Sequence, residues 1–352
     1  MLRPLIEQLD GVRASWLPGY RVKIIDGNCI EASERRLKAL RQVQGGALPG
    51  KSLVVYEPAH GLVSEVFLCE DGHAQERSML APVLETVQAD DLWIQDRHFC
   101  TWAFRCEIDR RGAAVITRQH KGLPFEMRNA FRSVGRIETG HVAEPRVQVW
   151  DEQGGAHLFR RIRVQLDEAT RDGERELYIL TNLPLRKASA KRVARLYRKR
   201  WTLETAFQHL AAYFHSEINT LGYPKAALFG FCLALVAYNM LAVVTAALRR
   251  VHGAESRDRE LSLYDVANDI AQTSHGMMIA IPEQEWRVFS RMRPAEMVAT
   301  LRELAQKVRL KAYRKSSRGP KKPQPQCAGT TKSSHVSTAK ILRNRKVNAA
   351  TP

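Results

Sequence analysis

Acidic residues are missing from one end of this sequence: residues 307–346 carry 13 Lys/Arg and no Asp or Glu. That leaves 42 basic against 37 acidic residues in 1–306, so most of the net charge of +18 comes from the tail. Large apolar side chains are scarce there too, in SSRGPKKPQPQ and GTTKSSHVST, and residues 315–352 read as a disordered basic tail that cannot offset its own ordering entropy. Such a segment suits a polyanion, because each neutralised phosphate releases counterions, and it equally suits a solubilising end. Cysteine is sparse: six residues, at 29, 69, 100, 106, 232 and 327, form no C-x-x-C pair and no metal-finger spacing. No signal peptide opens the sequence and no internal repeat runs through it, so a reducing cytoplasm is the expected location.

What is present is an ordinary globular composition, 44% hydrophobic and 26% charged over 352 residues, enough for one large core or two smaller ones. The exception is AALFGFCLALVAYNMLAVVTAAL, residues 226–248, which runs without a charge for the length of a bilayer crossing. It is solitary, Ala-rich, carries Tyr238 and Asn239 in its middle and has basic residues at both ends, so a buried core helix and no membrane span are expected.

Residues 1–120 alternate short strands, turns and helices. RVKIIDGNCIEA reads as a strand; SLVVYEP and GLVSEVFLCE flank Pro58-Ala59-His60-Gly61 as a hairpin; DLWIQ is a further strand, followed by a helix and the strand AAVITR. Residues 121–185 are β-rich, with RVQVW, LFRRIRVQL and ELYILTNLP. Residues 186–314 are helical, beginning with SAKRVARLYRKRWTLETAFQHLAAYF and continuing through the apolar run to weaker helices. The fold class is α/β.

Three carboxylates stand out. Asp26 ends the apolar run KII and Asp96 follows LWIQ, positions where an apolar residue would cost nothing. Taken singly, Asp26 can open an Asp-Gly turn and Asp96-Arg97 can be an ion-paired strand end. Glu204 is the lone acid in LYRKRWTLETAFQHL; at about 100° per residue, Tyr197, Arg200 and Glu204 fall on one helical face, which an i,i+4 pair of Arg200 with Glu204 would also explain. Acids held by rigid elements suit hard divalent ions that serve phosphoryl transfer.

The order strand-Asp, strand-Asp, helix-Glu, with the blocks IIDGN, LWIQDRHFCTWAF, VITRQH, LTNLP and SEINTLGYPKAAL, resembles the DDE transposases of bacterial insertion sequences. The spacing Tyr197, Arg200, Glu204 resembles the Tyr-Arg-Glu signature of the insertion sequence four group. The resemblance covers residues 15–250. It implies a ribonuclease-H-like core with a β-strand insertion before the last catalytic helix and a helical C-terminal part, in which Asp26, Asp96 and Glu204 bind two Mg²⁺ ions, with Mn²⁺ able to substitute. It also implies DNA as partner, both transposon ends and target, and a homodimer on that DNA. Tyr197, Arg200 and Arg118 would then contact phosphates, Trp150 would stack on a flipped base, and His98 would be structural.

Two departures from the family pattern are visible. The family's Lys seven residues after Glu204 is Ala211 here, which leaves Gln208 and His215 as substitutes for its phosphate contact. Asp26 also lies near Met1, where the family would place a separate N-terminal DNA-binding domain ahead of the core, so the chain reads as shortened at its front. The expected function is metal-dependent cleavage at transposon ends followed by strand transfer. A non-catalytic remnant that inhibits a full-length transposase and a stand-alone metal nuclease are the competing readings.

Overall fold

Apolar residues alternate along the first long strand, and that alternation builds the layers. The computed structural model describes residues 2–30, 37–43, 45–120, 122, 124–150, 154–170, 173–218, 222–253, 261–315 and 335–350. Strand β1 (Arg21–Ile30) turns Ile24 to one face and Ile25 to the other, and both are fully buried, as expected of a strand covered on both sides. Ile25 packs in a cluster with Met79, Leu80 and Val83 around helix α2 (Leu80–Glu85), and with Phe104 and Ile108 of α3 (Trp102–Arg110). Ile24 packs in a separate cluster with Val193 and Leu196 of α4 (Ala190–Arg198), Leu203 of α5 (Trp201–Phe214) and Phe231 of α6 (Pro224–His252).

A short strand, β2 (Gly46–Leu48), follows β1. Strands β3 (Gly50–Glu57) and β4 (Leu62–Cys69) form the hairpin expected from the Pro58–Gly61 turn, and β3 pairs antiparallel with β1. On its other side β1 is parallel to β5 (Asp91–Gln95), which is parallel to β6 (Ala114–Arg118). Six more strands extend the same sheet: β7 (Glu126–Met127), β8 (Arg132–Ile137), β9 (Gly140–Glu144), β10 (Arg146–Trp150), β11 (Ala156–Leu166) and β12 (Glu176–Thr181). The order is β4-β3-β1-β5-β6-β12-β11-β10-β7, with β9 paired to β11 and β8 to β9. This mixed sheet, with helices on both faces, is consistent with a ribonuclease-H-like core.

The region read as one helix over Ser189–Phe214 is two. Lys199, Arg200, Thr202 and Leu203 each donate their N–H to the carbonyl three residues earlier, so the chain tightens into a 3₁₀-type turn between α4 and α5. Ser189 opens α4 by accepting the N–H of Arg192 at 3.3 Å.

Helix α6 is long and apolar enough to cross a membrane, with a mean hydropathy of 2.2 over its most apolar stretch. In the fold it lies against β3, β4, α5, α1 (Leu2–Gln8) and α9, the helix formed by Pro294–Lys307. Asn239, in its middle, accepts the N–H of Val63 and donates to the carbonyl of the same residue, both at 2.8 Å, so the amide satisfies backbone on the outermost strand β4. Beyond it come α7 (Leu263–Ala280) and α8 (Glu283–Arg291).

The tail corrects the sequence expectation in part. Residues 316–334 lie outside the described residues, but His335–Ser337 form β13, which pairs parallel with β2, and Thr338–Ala350 form helix α10. Thr338 is fully buried and Lys340 pairs with Asp71 at 3.1 Å. Their partners are three residues near position 47 and one acid at 71, which composition near residue 340 cannot reveal.

Candidate active site

Parallel pairing of β1 with β5 sets Ile25 opposite Gln95, so Asp26 and Asp96 come one step further along neighbouring strands. Asp26 follows Ile24 by two residues and therefore faces α4 and α5. From that layer Arg200 reaches down between the acids: its Nη1 donates to Asp26 Oδ2, and its Nη2 donates to Glu204 Oε1 at 2.7 Å. Tyr197 Oη donates to Asp96 Oδ1 at 3.2 Å. The tightened turn at Lys199 breaks the single helical face read from the sequence, yet Tyr197, Arg200 and Glu204 still meet the two strand acids.

The electrostatics follow from burial. Desolvation pushes Asp26 up from an ordinary 3.8 to about 6, with Arg200 and the Gly27 N–H pulling the other way and Asp96 and Glu204 adding repulsion. The Tyr197 phenol is raised, first by burial and then by Asp96. Arg200 is held firmly protonated: its burial is outweighed by Asp26, Tyr197, Asp96 and Glu204 together. The three acids thus feel one another, and Arg200 is the cation they share. Among the described residues no three His, Cys, Asp or Glu side chains stand close enough to enclose a metal ion. The donors themselves, carboxylate oxygens from the middle of β1, from just past the end of β5 and from helix α5, fit hard divalent cations, and added positive charge beside Asp26 would favour its ionised form.

A family model of the transposase DDE domain matches residues 17–240, more than half of the chain. This chain belongs to that family. The matched stretch of the transposase contains Asp26, Asp96 and Glu204 and reaches into α6, while no curated protein matches the sequence.

Other expected site residues of the transposase are placed unevenly. Arg118, last in β6, lies near enough for its charge to act on the Tyr197 phenol. Its guanidinium is engaged by Glu174, which also pairs with Arg97 at 3.4 Å. Gln208 and Ala211 are exposed on α5. His215 is not on that helix: α5 ends at Phe214, and His215 takes a left-handed conformation (φ 46°, ψ 47°), so the helical wheel that aligned it with Glu204 does not apply. Trp150 is also displaced from its expected place. It ends β10, three strands across the sheet from Arg118, and the register Trp150↔Ala156, Arg160↔Thr181, Thr181↔Ile116 puts it at the end of the sheet opposite the acids. His98 offers its backbone carbonyl to Arg77 at 3.1 Å.

The acid end of the β7–β12 region instead carries an arginine–aromatic group that the sequence reading missed. Arg161 stacks on Tyr178 at 3.9 Å and lies over Phe125 and Phe131 at 5.0 and 5.4 Å. Its only local signal was an alternation of Arg with apolar residues in LFRRIRVQL. Glu76 was missed as well: it packs so close to Gly27 that a Cβ there would lie 2.2 Å from its carboxylate oxygen.

Proposed function

We propose that this transposase cuts a phosphodiester at the ends of its mobile element and joins the freed end to target DNA, as a member of the insertion sequence four group. The observation that carries this reading is the meeting of Asp26, Asp96 and Glu204 around Arg200 and Tyr197, with Asp26 in the middle of β1 and Asp96 just past the end of the neighbouring parallel strand β5. A transposase domain takes DNA as its substrate. Asp26, Asp96 and Glu204 would hold two Mg²⁺ ions, or Mn²⁺ in their place, which when bound supply activation of the attacking oxygen and charge for the leaving oxygen.

In the first step water attacks phosphorus in line, the bond to the 3′ oxygen breaks, and that oxygen leaves as a 3′-OH opposite a 5′-phosphate. In the second, the 3′-OH attacks a target phosphodiester and displaces the target's 3′ oxygen, which takes up the proton. Tyr197 orients Asp96 through its hydroxyl. Arg200, which donates to Asp26 and Glu204, would put its guanidinium on a non-bridging phosphate oxygen lying over them. Two ends in one complex require two active sites, hence a homodimer on DNA, acting in the cytoplasm.

The test is incubation of purified protein with its own element's end DNA and Mg²⁺. Nicked and joined products are expected, and Asp26→Asn, Asp96→Asn and Glu204→Gln should each abolish both with the fold intact by circular dichroism. Nicking without joining would replace this reading with a stand-alone nuclease. Binding with neither product would replace it with a non-catalytic remnant.

A further inference from the structure

We propose that Glu174 is an internal competitor for phosphate, a carboxylate lodged in an arginine pair beside the acids that a DNA phosphodiester must displace. The inference rests on the reading of this protein as acting on DNA. Arg97 directly follows Asp96, and Arg118 closes β6, where Thr117 Oγ1 donates to the Asp96 carbonyl at 3.3 Å. Two arginines therefore stand beside Asp96, one on the turn after β5 and one at the end of the neighbouring strand β6. Glu174 spans them, with Oε1 on Arg97 at 3.4 Å and Oε2 on Arg118. A phosphodiester presents the same outline, one negative charge shared by two oxygens, and arginine forks bind both anions in the same way.

Three further observations make Glu174 a competitor instead of a fixed strut. It stands at the edge of an open cleft of about 820 Å³ that is lined also by His98, Arg161 and Arg175, so a second anion can approach the arginines it holds. Its carboxylate is about a quarter exposed, Arg97 more than a third and Arg118 about a sixth, so the Arg97 contact is a solvent-exposed ion pair worth little by itself. Its position is set locally: the Glu174 N–H donates to Thr170 Oγ1 at 3.1 Å and its carbonyl accepts from Thr170 N–H at 2.9 Å, so the backbone stays in place when the side chain lets go. Glu176, the other acid in the cleft, is occupied by Tyr178 Oη at 2.6 Å and Arg163 at 3.7 Å.

The test compares wild type with Glu174→Gln, which keeps the shape and removes the charge. The readout is binding of a 20-base-pair duplex by fluorescence anisotropy across a salt series without divalent ions. Binding about three- to tenfold tighter at low salt, with a slope of log K against log salt steeper by about one phosphate, is expected. Adding Arg97→Ala should cancel the gain. A second probe separates this inference from the DNA reading: inorganic phosphate should raise the melting temperature of Glu174→Gln more than that of wild type. Equal DNA affinity and equal phosphate response in the two proteins would overturn the proposal and leave the DNA reading standing. A phosphate gain with no DNA binding by either protein would uphold the anion site and sink the DNA reading. If Glu174→Gln fails to fold, Glu174→Asp, which shortens the reach and keeps the charge, is expected to give a smaller gain in the same direction; a loss of affinity there would show the pair to be structural.

Discussion

Asp26 is a carboxylate that the fold holds at some cost. With its pKa near 6 against 3.8 for an ordinary Asp, the folded protein binds this proton more tightly than the unfolded chain does. Stability contributed by the neutral form is therefore present below about pH 4, declines as pH rises, and is gone above about pH 6. At about 1.4 kcal/mol per pH unit the loss is on the order of 2 to 3 kcal/mol. Urea unfolding in EDTA should show it between pH 4.5 and 7.5 in wild type and show much less of it in Asp26→Asn, which stays neutral throughout. Coincident pH profiles for the two proteins would mean that Arg200 fully compensates the burial. Arg200 keeps Glu204 in the variant, so removing Asp26 does not strand the guanidinium.

Among the elements, α6 carries the sharpest prediction. Asn239 gives an amide to both backbone groups of Val63 on the outermost strand, so Asn239→Leu leaves two polar groups unpaired under an apolar helix. A loss of about 2 kcal/mol is expected, read as a lower urea midpoint with unchanged slope. No change would show that water replaces the amide. The same element shows what the sequence made legible: Tyr238 and Asn239 inside an uncharged run marked a helix packed in the fold, while the partner of the amide, the β4 edge, came only with the structure. Strands β1 and β5 were legible from the apolar runs KII and LWI that precede Asp26 and Asp96. The break at Lys199 was not, since Lys and Arg are good helix formers and neither proline nor glycine marks it. Nor was the location of Trp150, because strand order in the sheet is decided by partners dozens of residues apart. His215 escaped because no glycine announces its left-handed backbone.

For the whole molecule, the basic tail is two things at once. Deleting residues 316–352 removes β13 and α10 along with Lys/Arg-rich chain. The melting temperature should fall by about 2–4 °C, the shift that corresponds to about 1 kcal/mol in a domain of this size. Separately, the salt dependence of DNA binding should flatten as phosphate contacts are lost. An unchanged melting temperature would mean that the strand pair contributes nothing to the fold, and an unchanged slope would mean that the tail does not touch DNA.

The pairing of His335–Ser337 with Gly46–Leu48 also has a meaning in time. A ribosome adding about 5–20 residues per second reaches β13 roughly 15 to 60 seconds after it has finished β2. For that interval the central sheet can close around Asp26 and Asp96 while β2 waits without a parallel neighbour. The nascent chain thus acquires Asp26 and Asp96 before it acquires β13, and a message cut short ahead of residue 335 yields a polypeptide with these two acids in place and β2 without its parallel neighbour.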